Sequence, residues 1–230
     1  MPEYGNTRGS FFSTIPVVTK NLLIINIILF LATLVNEEFM VRTFALFYPA
    51  SPFFRPWQVI THMFMHGGFW HIFFNMYALL IFGSVVERTI GTKKFLVFYF
   101  LCGLGAVLLH TGVEYIEASL YLASGTSAGE LSYYNLLRTP TLGASGAVYG
   151  VLIGYAMLYP NSVLTLIFPP ISLKAKWWVL IFAGIELLTG ITGTADGIAH
   201  FAHLGGMLIG WLLLLYWRKS GRLWQPDKWW

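Results

Sequence analysis

The sequence predicts an all-α membrane protein whose six transmembrane helices form one bundle, with both termini in the cytoplasm. Of its 230 residues, 57% are hydrophobic and only 10% are charged, whereas soluble domains carry roughly 25% charged residues. So few charged side chains leave much of the surface apolar, and lipid is the environment that such a surface fits. Long apolar segments also follow one another along the whole chain.

The individual spans are identified by their unbroken apolar character. A helix of about 20 residues crosses the hydrocarbon core of a bilayer. The predicted spans cover residues 21–36, 68–88, 93–111, 143–159, 175–192 and 197–217. The first and fourth are short for a full crossing. Residues 37–67 and 112–142 form the two long connections, so we expect a cytoplasmic tail at 1–20, one six-span domain at 21–217 and a second cytoplasmic tail at 218–230.

The distribution of Lys and Arg predicts the orientation. Eleven of the 14 basic residues lie in the two termini and in the second and fourth connections, and three lie in the remaining loops. Because basic residues favour the cytoplasmic side, both termini are predicted to be cytoplasmic in a multi-pass protein of the cell (plasma or inner) membrane. The basic residues form no basic face of the kind that binds nucleic acid, so the expected partner is the lipid bilayer.

Three of the spans carry polar side chains, which are costly in lipid and indicate function. The second span begins with His71 and has Asn75 one turn later on the same face. The fourth begins near Ser145, and the sixth contains His200 and His203. All three spans run from outside to inside in this topology, and His203 lies about 9 Å below the outer end of its helix. The polar side chains are therefore expected at a similar depth.

Stripes of small residues predict that the fourth and sixth spans pack closely. The stripes consist of glycines four residues apart, Gly146, Gly150 and Gly154 on one span and Gly206 and Gly210 on the other. Such stripes let helix backbones approach each other. Ser145 precedes the first stripe and His203 shares a face with the second, so the two side chains are expected to meet at the top of the contact.

A serine beside a histidine favours acyl transfer, because the histidine can accept the hydroxyl proton near neutral pH. The amide of Asn75, the ring of His71 and the first N–H groups of the fourth span could stabilise the oxyanion. No carboxylate is expected beside the histidine, since Asp196 lies seven residues before His203. The sequence therefore predicts a Ser–His dyad. Glu186, within the fifth span, is left open as a proton relay, a paired or protonated group, or a neighbour of a water-filled pocket.

Three signatures occur together in this order: His62-x3-His66-x4-His71-x3-Asn75, Gly143-x-Ser145-Gly146, and His203-x2-Gly206-x3-Gly210. In these residues the chain resembles a six-span rhomboid intramembrane serine protease, over about residues 20–217. The resemblance implies a rhomboid-type bundle and a serine endopeptidase that cleaves transmembrane proteins without a cofactor or metal. One departure concerns the first outer loop, where Trp57-Gln58 stands in place of the family's Trp-Arg and puts the loop's anchoring in question.

The resemblance also implies a role for each motif residue. Ser145 would be the nucleophile and His203 the base, with His71 and Asn75 in the oxyanion hole. The remaining positions would be supporting ones: Tyr149 packing on the catalytic imidazole, Gly143, Gly146 and Gly206 in the motifs, and His62 and His66 shaping the loop near the site.

Other interpretations of these residues remain open. A lone serine at this position is usually a cap or a packing residue, and His200 competes with His203 for the role of base, although the glycine spacing favours His203. A transporter would place its polar groups near the membrane midplane, often in a duplicated architecture. A metal-binding membrane protein could use the histidines, and a catalytically silent relative could keep the same fold.

Overall fold

The computed structural model describes residues 11–166, 170–192 and 200–223, and most of them are helical. In chain order the elements are α1 (Phe11–Thr14), α2 (Val17–Val35), α3 (Glu37–Phe44), α4 (Gln58–Thr61), a 3₁₀ turn (His62–Phe64), α5 (Phe69–Ala78), a π-helical stretch (Leu79–Gly83), α6 (Ser84–Ile90), α7 (Thr92–Ala123), α8 (Ser127–Arg138), α9 (Ser145–Leu158), β1 (Val163–Thr165), β2 (Ser172–Lys174), α10 (Ala175–Thr192) and α11 (His200–Lys219).

Five helices in the described ranges are long and apolar enough to cross a membrane. They are α2, the run Phe69–Ile90 that joins α5 to α6, α7, α10 and α11. The helix α9, which corresponds to the predicted fourth span, has only 14 residues and is therefore about 21 Å long at 1.5 Å per residue. Half of its residues are buried, so other helices rather than lipid surround much of this short helix.

The second long connection is more helical than the sequence predicted. We expected the third span to end near residue 111, but α7 continues to Ala123 and α8 follows at Ser127–Arg138. The reason is local: residues 113–123 contain neither proline nor glycine, so nothing in the chain terminates the helix. At 32 residues, α7 is about 48 Å long and exceeds a hydrocarbon core of about 30 Å.

The helices α7, α9 and α11 form the centre of the bundle and meet through glycines. A Cβ atom on Gly206 would overlap the backbone of Gly146, and one on Gly210 would lie 2.9 Å from the carbonyl oxygen of Gly150. A Cβ on Gly150 would overlap the side chain of Cys102 on α7. The predicted packing of the two glycine stripes is confirmed, because side chains at these positions would force the backbones apart.

Gln58 anchors the first long connection. Its side chain is fully buried, and its Oε1 accepts hydrogen bonds from the backbone N–H of Phe47 at 3.4 Å and of Arg55 at 3.0 Å. Its Nε2 donates to the carbonyls of Arg42 and Phe53, both at 3.1 Å. The glutamine therefore connects four backbone positions of the loop, and the loop's anchoring, questioned from the sequence, is provided by this amide.

The end of α6 holds the beginning of α2. The buried carboxylate of Glu87 accepts hydrogen bonds from the backbone N–H of Val18 at 3.0 Å and of Thr19 at 2.7 Å, and from the Thr19 hydroxyl at 2.8 Å. The first N–H groups of a helix have no partner within the helix. A negative charge at this end also interacts favourably with the positive end of the helix dipole. Glu87 thus caps α2 from a different helix.

A short hairpin connects α9 to α10. The strands β1 and β2 are antiparallel, with Val163 opposite Lys174 and Thr165 opposite Ser172. The indole N–H of Trp178, one turn into α10, donates to the carbonyl of Leu164 at 3.0 Å. This bond fixes the start of α10, the helix that carries Glu186, against the hairpin.

Candidate active site

A glycine turn places Ser145 at the start of α9. Gly143 has φ = +136°, a conformation that side-chain-bearing residues rarely adopt. A Cβ atom there would stand 2.8 Å from His71 Nε2 and 3.4 Å from Ser145 Oγ, so only glycine leaves room between these two side chains. The N–H of Gly143 donates to the carbonyl of His62 at 2.9 Å, which ties the turn to the first long connection.

The structure brings Ser145 and His203 together from α9 and α11. The distance from His203 Nε2 to Ser145 Oγ is 2.8 Å, which is a hydrogen bond of ordinary length. The ring of Tyr149, one turn after Ser145, stacks on the His203 imidazole with centroids 4.2 Å apart and planes within 4° of parallel. This arrangement can transfer a proton from the serine hydroxyl to the imidazole.

His71 and Asn75 lie on α5, beside the glycine turn. The ring of His71 borders the space at Gly143. The Nδ2 of Asn75 donates to the carbonyl of His71 at 2.9 Å, and the Asn75 side chain is buried. An amide nitrogen carries two hydrogens, so this intrahelical bond leaves one for another acceptor. The ring of His71 therefore lies at the turn that precedes Ser145, whereas the Asn75 amide donates within its own helix.

His62 and His66 are buried in the loop before α5. The ring Nδ1 of His62 donates to the carbonyl of Gln58 at 2.9 Å, and burial lowers the pKa of His62 to about 4. Burial and the neighbouring His71, whose ring centroid is 5.0 Å away, lower the pKa of His66 to about 3. Neither ring nitrogen of His66 has a hydrogen-bond partner among the described residues. With these pKa values both rings are neutral at pH 7.

Glu186 stands beside the paired serine and histidine, which the sequence did not predict. Its Oε1 lies 3.0 Å from His203 Nδ1 and accepts a hydrogen bond of 2.5 Å from the Tyr149 hydroxyl. Its Oε2 accepts a 2.5 Å hydrogen bond from His200 Nδ1. The expectation that no carboxylate lies beside the histidine is wrong. Asp196, the acidic residue considered from the sequence, lies outside the described residues.

Sequence separation explains why Glu186 was missed. Asp196 is the acidic residue nearest to His203 in the sequence, whereas Glu186 reaches His203 from α10. One signal was present in the sequence: an acidic residue within an apolar span is costly unless it is paired. Its partner, however, depends on how α10 is rotated against α11, and an apolar pattern does not specify that rotation.

The same three side chains of Glu186, His200 and His203 could also hold a metal ion, since one donor atom of each lies within 4.8 Å of the others. The donor atoms of a tetrahedral metal site, bound at about 2.1 Å, stand about 3.4 Å apart. The distances from the carboxylate to His200 and His203, 2.5 Å and 3.0 Å, are shorter. They fit direct contacts between the side chains better than ligation of a shared ion.

A small cavity of about 20 Å³ adjoins Ser145. This space is enough for about one water molecule. Residues from the first long connection, the glycine turn, α7, α9 and α11 form its walls: His62, Met63, Gly103, Ala106, Thr141, Leu142, Gly143, Ser145, Gly146, Ala147 and Ala202. The lining includes the polar residues His62, Thr141 and Ser145, so a water in this cavity would have polar residues around it.

Comparison with known proteins places the chain in a family. A family model described as the Rhomboid domain matches residues 54–220. The chain is 29% identical over 164 residues to "Rhomboid protease AarA" of Providencia stuartii, covering 68% of this chain and 54% of that protein. It is 31% identical over 175 residues to "RHOMBOID-like protein 12, mitochondrial" of Arabidopsis thaliana, covering 76% and 50%.

A further relative matches over a longer stretch. "Rhomboid protease GlpG" of Yersinia pestis (strain Pestoides F) is 28% identical over 211 residues, which cover 89% of this chain and 64% of that protein. The chain spans about half the length of the first relatives it matches. Because the family match covers more than half of the chain and includes the glycine turn and both central helices of the site, the chain belongs to the rhomboid family.

Proposed function

We propose that this protein is an intramembrane serine endopeptidase that cleaves transmembrane protein substrates. The observation that carries the proposal is the 2.8 Å contact between Ser145 Oγ and His203 Nε2. Two of the matched relatives are named as rhomboid proteases, which supports the same reaction for this chain. Ser145 is the proposed nucleophile and His203 the proposed base.

The reaction follows from these two groups. Ser145 Oγ attacks the carbonyl carbon of the scissile peptide bond, its proton passes to His203 Nε2, and the carbonyl π electrons move to the oxygen. Collapse of this intermediate breaks the C–N bond, and the leaving amine takes the proton from His203. A water molecule, deprotonated in turn by His203, then hydrolyses the acyl-enzyme and restores the serine.

The proposed oxyanion donors are the Ser145 backbone N–H, the His71 ring and the second amide hydrogen of Asn75. Support comes from the position of Ser145 at a helix N-terminus, where backbone N–H groups have no intrahelical acceptor. The closeness of His71 to the turn at Gly143 is a second support. Donors already in position stabilise charge that develops in the transition state without having to reorganise.

The proposed topology has six spans with α9 as the shortest, both termini in the cytoplasm, and the site in the outer part of the bilayer. The distribution of Lys and Arg supports this orientation. We predict the cell membrane as the location, although three of the matched relatives are named as mitochondrial. Substrate helices would enter from the lipid, and those that unwind readily would be cleaved best, because a stable helix keeps its carbonyls in its own hydrogen bonds.

The test is labelling of the detergent-solubilised protein with a fluorophosphonate serine probe, followed by mapping of the modified residue. We expect labelling at Ser145, lost in Ser145→Ala and in His203→Ala, together with cleavage of a transmembrane test substrate by the wild type only. Labelling elsewhere, or cleavage that persists in Ser145→Ala, would refute the proposal.

A further inference from the structure

We propose that Glu186 is a positioning residue for His203, so that the site works as a Ser–His–Glu array rather than a pair. The inference rests on the proposed function of Ser145 and His203. It assigns to α10 a direct part in the site: its carboxylate would hold the imidazole in one orientation and one tautomer, and would balance the positive charge that His203 acquires during the reaction.

The tautomer follows from the contact with Ser145. To accept the proton of the serine hydroxyl, His203 Nε2 must be unprotonated, so the neutral ring carries its hydrogen on Nδ1. That atom lies 3.0 Å from Glu186 Oε1. No aligned hydrogen bond to Nδ1 is found within the described part of the chain, so the contact acts mainly through charge. When Nε2 takes up the proton, the ring becomes a cation beside the carboxylate, and the attraction increases at that stage.

The carboxylate is itself held in place from several directions. The Tyr149 hydroxyl donates to Oε1 and His200 Nδ1 donates to Oε2, both at 2.5 Å. The hydroxyl of Thr189 lies 3.1 Å from the same His200 nitrogen. Glu186 is 6% exposed, and burying a carboxylate is costly unless hydrogen bonds and charges compensate it. These contacts supply that compensation and leave the carboxylate little freedom to turn.

Tyr149 links the base to the carboxylate. Its ring stacks on the His203 imidazole, and its hydroxyl reaches Glu186. One side chain therefore limits the tilt of the imidazole and also fixes the oxygen that faces Nδ1. A carboxylate that only joined α10 to α11 would not need to be held against His203 Nδ1, the ring nitrogen that does not face Ser145. His200, which competed with His203 in the sequence, is assigned here to holding Glu186 from the other side.

The test compares Glu186→Gln and Glu186→Asp with the matched control Glu87→Gln, which neutralises the other buried carboxylate described above. Turnover and KM for a transmembrane test substrate are measured together with the unfolding temperature in detergent. We expect Glu186→Gln to lower kcat about tenfold or more, whereas losing the carboxylate of a Ser–His–Asp triad costs about 10⁴-fold, and KM should stay nearly unchanged. Glu186→Asp, which keeps the charge, should recover part of the loss.

Three outcomes would overturn the inference while leaving the proposed function intact. One is wild-type kcat in Glu186→Gln while Ser145→Ala is inactive. Another is a loss of kcat in Glu186→Gln that is fully explained by a lower unfolding temperature, so that Glu87→Gln with an equal fall in unfolding temperature loses as much activity. The third is wild-type activity that a chelator abolishes and Zn²⁺ restores, because the cluster would then be a metal site. Activity in Ser145→Ala would instead reject the proposed function itself.

Tyr149→Phe provides a finer measurement, since it removes the hydroxyl but keeps the stacked ring. We expect a fall in kcat smaller than that of Glu186→Gln, because one of the contacts that hold the carboxylate is lost while its charge remains. In the double variant with Glu186→Gln the tyrosine change should add little, since both act through the same carboxylate. Full additivity of the two effects would contradict the linked arrangement.

Discussion

Two buried carboxylates, Glu87 and Glu186, are equally hidden from solvent but face different kinds of partner. Their exposures are 1% and 6%, so burial does not distinguish them. Glu87 receives two backbone N–H groups and one hydroxyl at the start of α2. Glu186 receives the side chains of Tyr149 and His200 and lies against His203. The partners, rather than the depth, indicate whether a buried charge supports the fold or the chemistry.

The difference has a physical basis. Backbone N–H groups at a helix start are fixed by the chain and never change their protonation, so a carboxylate that binds them contributes a constant stabilisation. Imidazoles gain and lose protons near neutral pH, and a carboxylate beside one interacts with it more strongly in one protonation state than in the other. The region around Glu87 should therefore affect stability, and the region around Glu186 should affect turnover.

The largest expected effect tests the chemical side of this comparison. Ser145→Ala and His203→Ala should each reduce cleavage of a transmembrane test substrate to background, a fall of at least about 1000-fold, because the nucleophile or the base is gone. The unfolding temperature in detergent should change little in Ser145→Ala, and both variants should remain folded. His200→Ala removes a contact of Glu186 but neither of the two reacting groups, so it should retain substantial activity. If it were as inactive as His203→Ala, the choice between the two histidines would be wrong.

Gly206→Val tests whether stability and turnover can be lost together. The added side chain would overlap the backbone of Gly146, and overpacking of this kind costs typically about 1–3 kcal/mol. The helices α9 and α11 should separate, which lengthens the distance between Ser145 and His203. We expect loss of activity and a lower unfolding temperature. Gly184→Val on α10, where a Cβ would meet no atom within 4 Å, is the control for adding bulk. Wild-type values in Gly206→Val would mean that the glycine contact does not position the site.

Asn75→Ala tests the proposed stabilisation of the oxyanion. Removal of one oxyanion donor costs about 100- to 1000-fold in kcat. Because the Asn75 amide also donates to the carbonyl of His71, we widen the expected loss to about 10- to 1000-fold. His71→Ala should behave similarly. KM should change little, because these donors act on charge that develops in the transition state. An effect confined to KM would point to substrate positioning.

Glu87→Gln tests the structural side. The variant loses the charge and one of the acceptor oxygens at the start of α2, and a hydrogen bond to a charged group contributes about 1.5–3 kcal/mol. We expect the unfolding temperature to fall while kcat of the folded protein stays at the wild-type value. A clear reduction in kcat without loss of stability would remove the distinction drawn between the two carboxylates.

The smallest effect at neutral pH concerns the buried histidines of the loop. Their pKa values, about 4 for His62 and about 3 for His66, lie below the unfolded value of about 6.5. Below pH 6.5 the unfolded chain therefore binds more protons, and the stability falls as the pH decreases from about 6.5 toward 4 and 3. Unfolding measured against pH in the wild type and in His62→Gln checks this. An equal slope in both proteins would contradict the contribution of His62.

Several features follow from the sequence because they depend on local composition or spacing. The apolar runs identify the positions of the helices, since each must satisfy its own backbone in lipid. Glycines at every fourth residue identify the faces of α9 and α11 that meet, because no other residue permits that approach. The contact of Ser145 with His203 follows from those faces, since both side chains lie at the beginning of the stripes.

Other features were decided by the tertiary structure. That Gln58 collects four hydrogen bonds depends on which backbone groups of the first long connection lie around it. Glu186 is the clearest case: the sequence by itself determined that a carboxylate lies within an apolar helix, and only the rotation of α10 against α9 and α11 decided that it faces His203. The physical reason is that a composition pattern defines a face of one helix, whereas a contact between side chains requires the relative rotation and position of two.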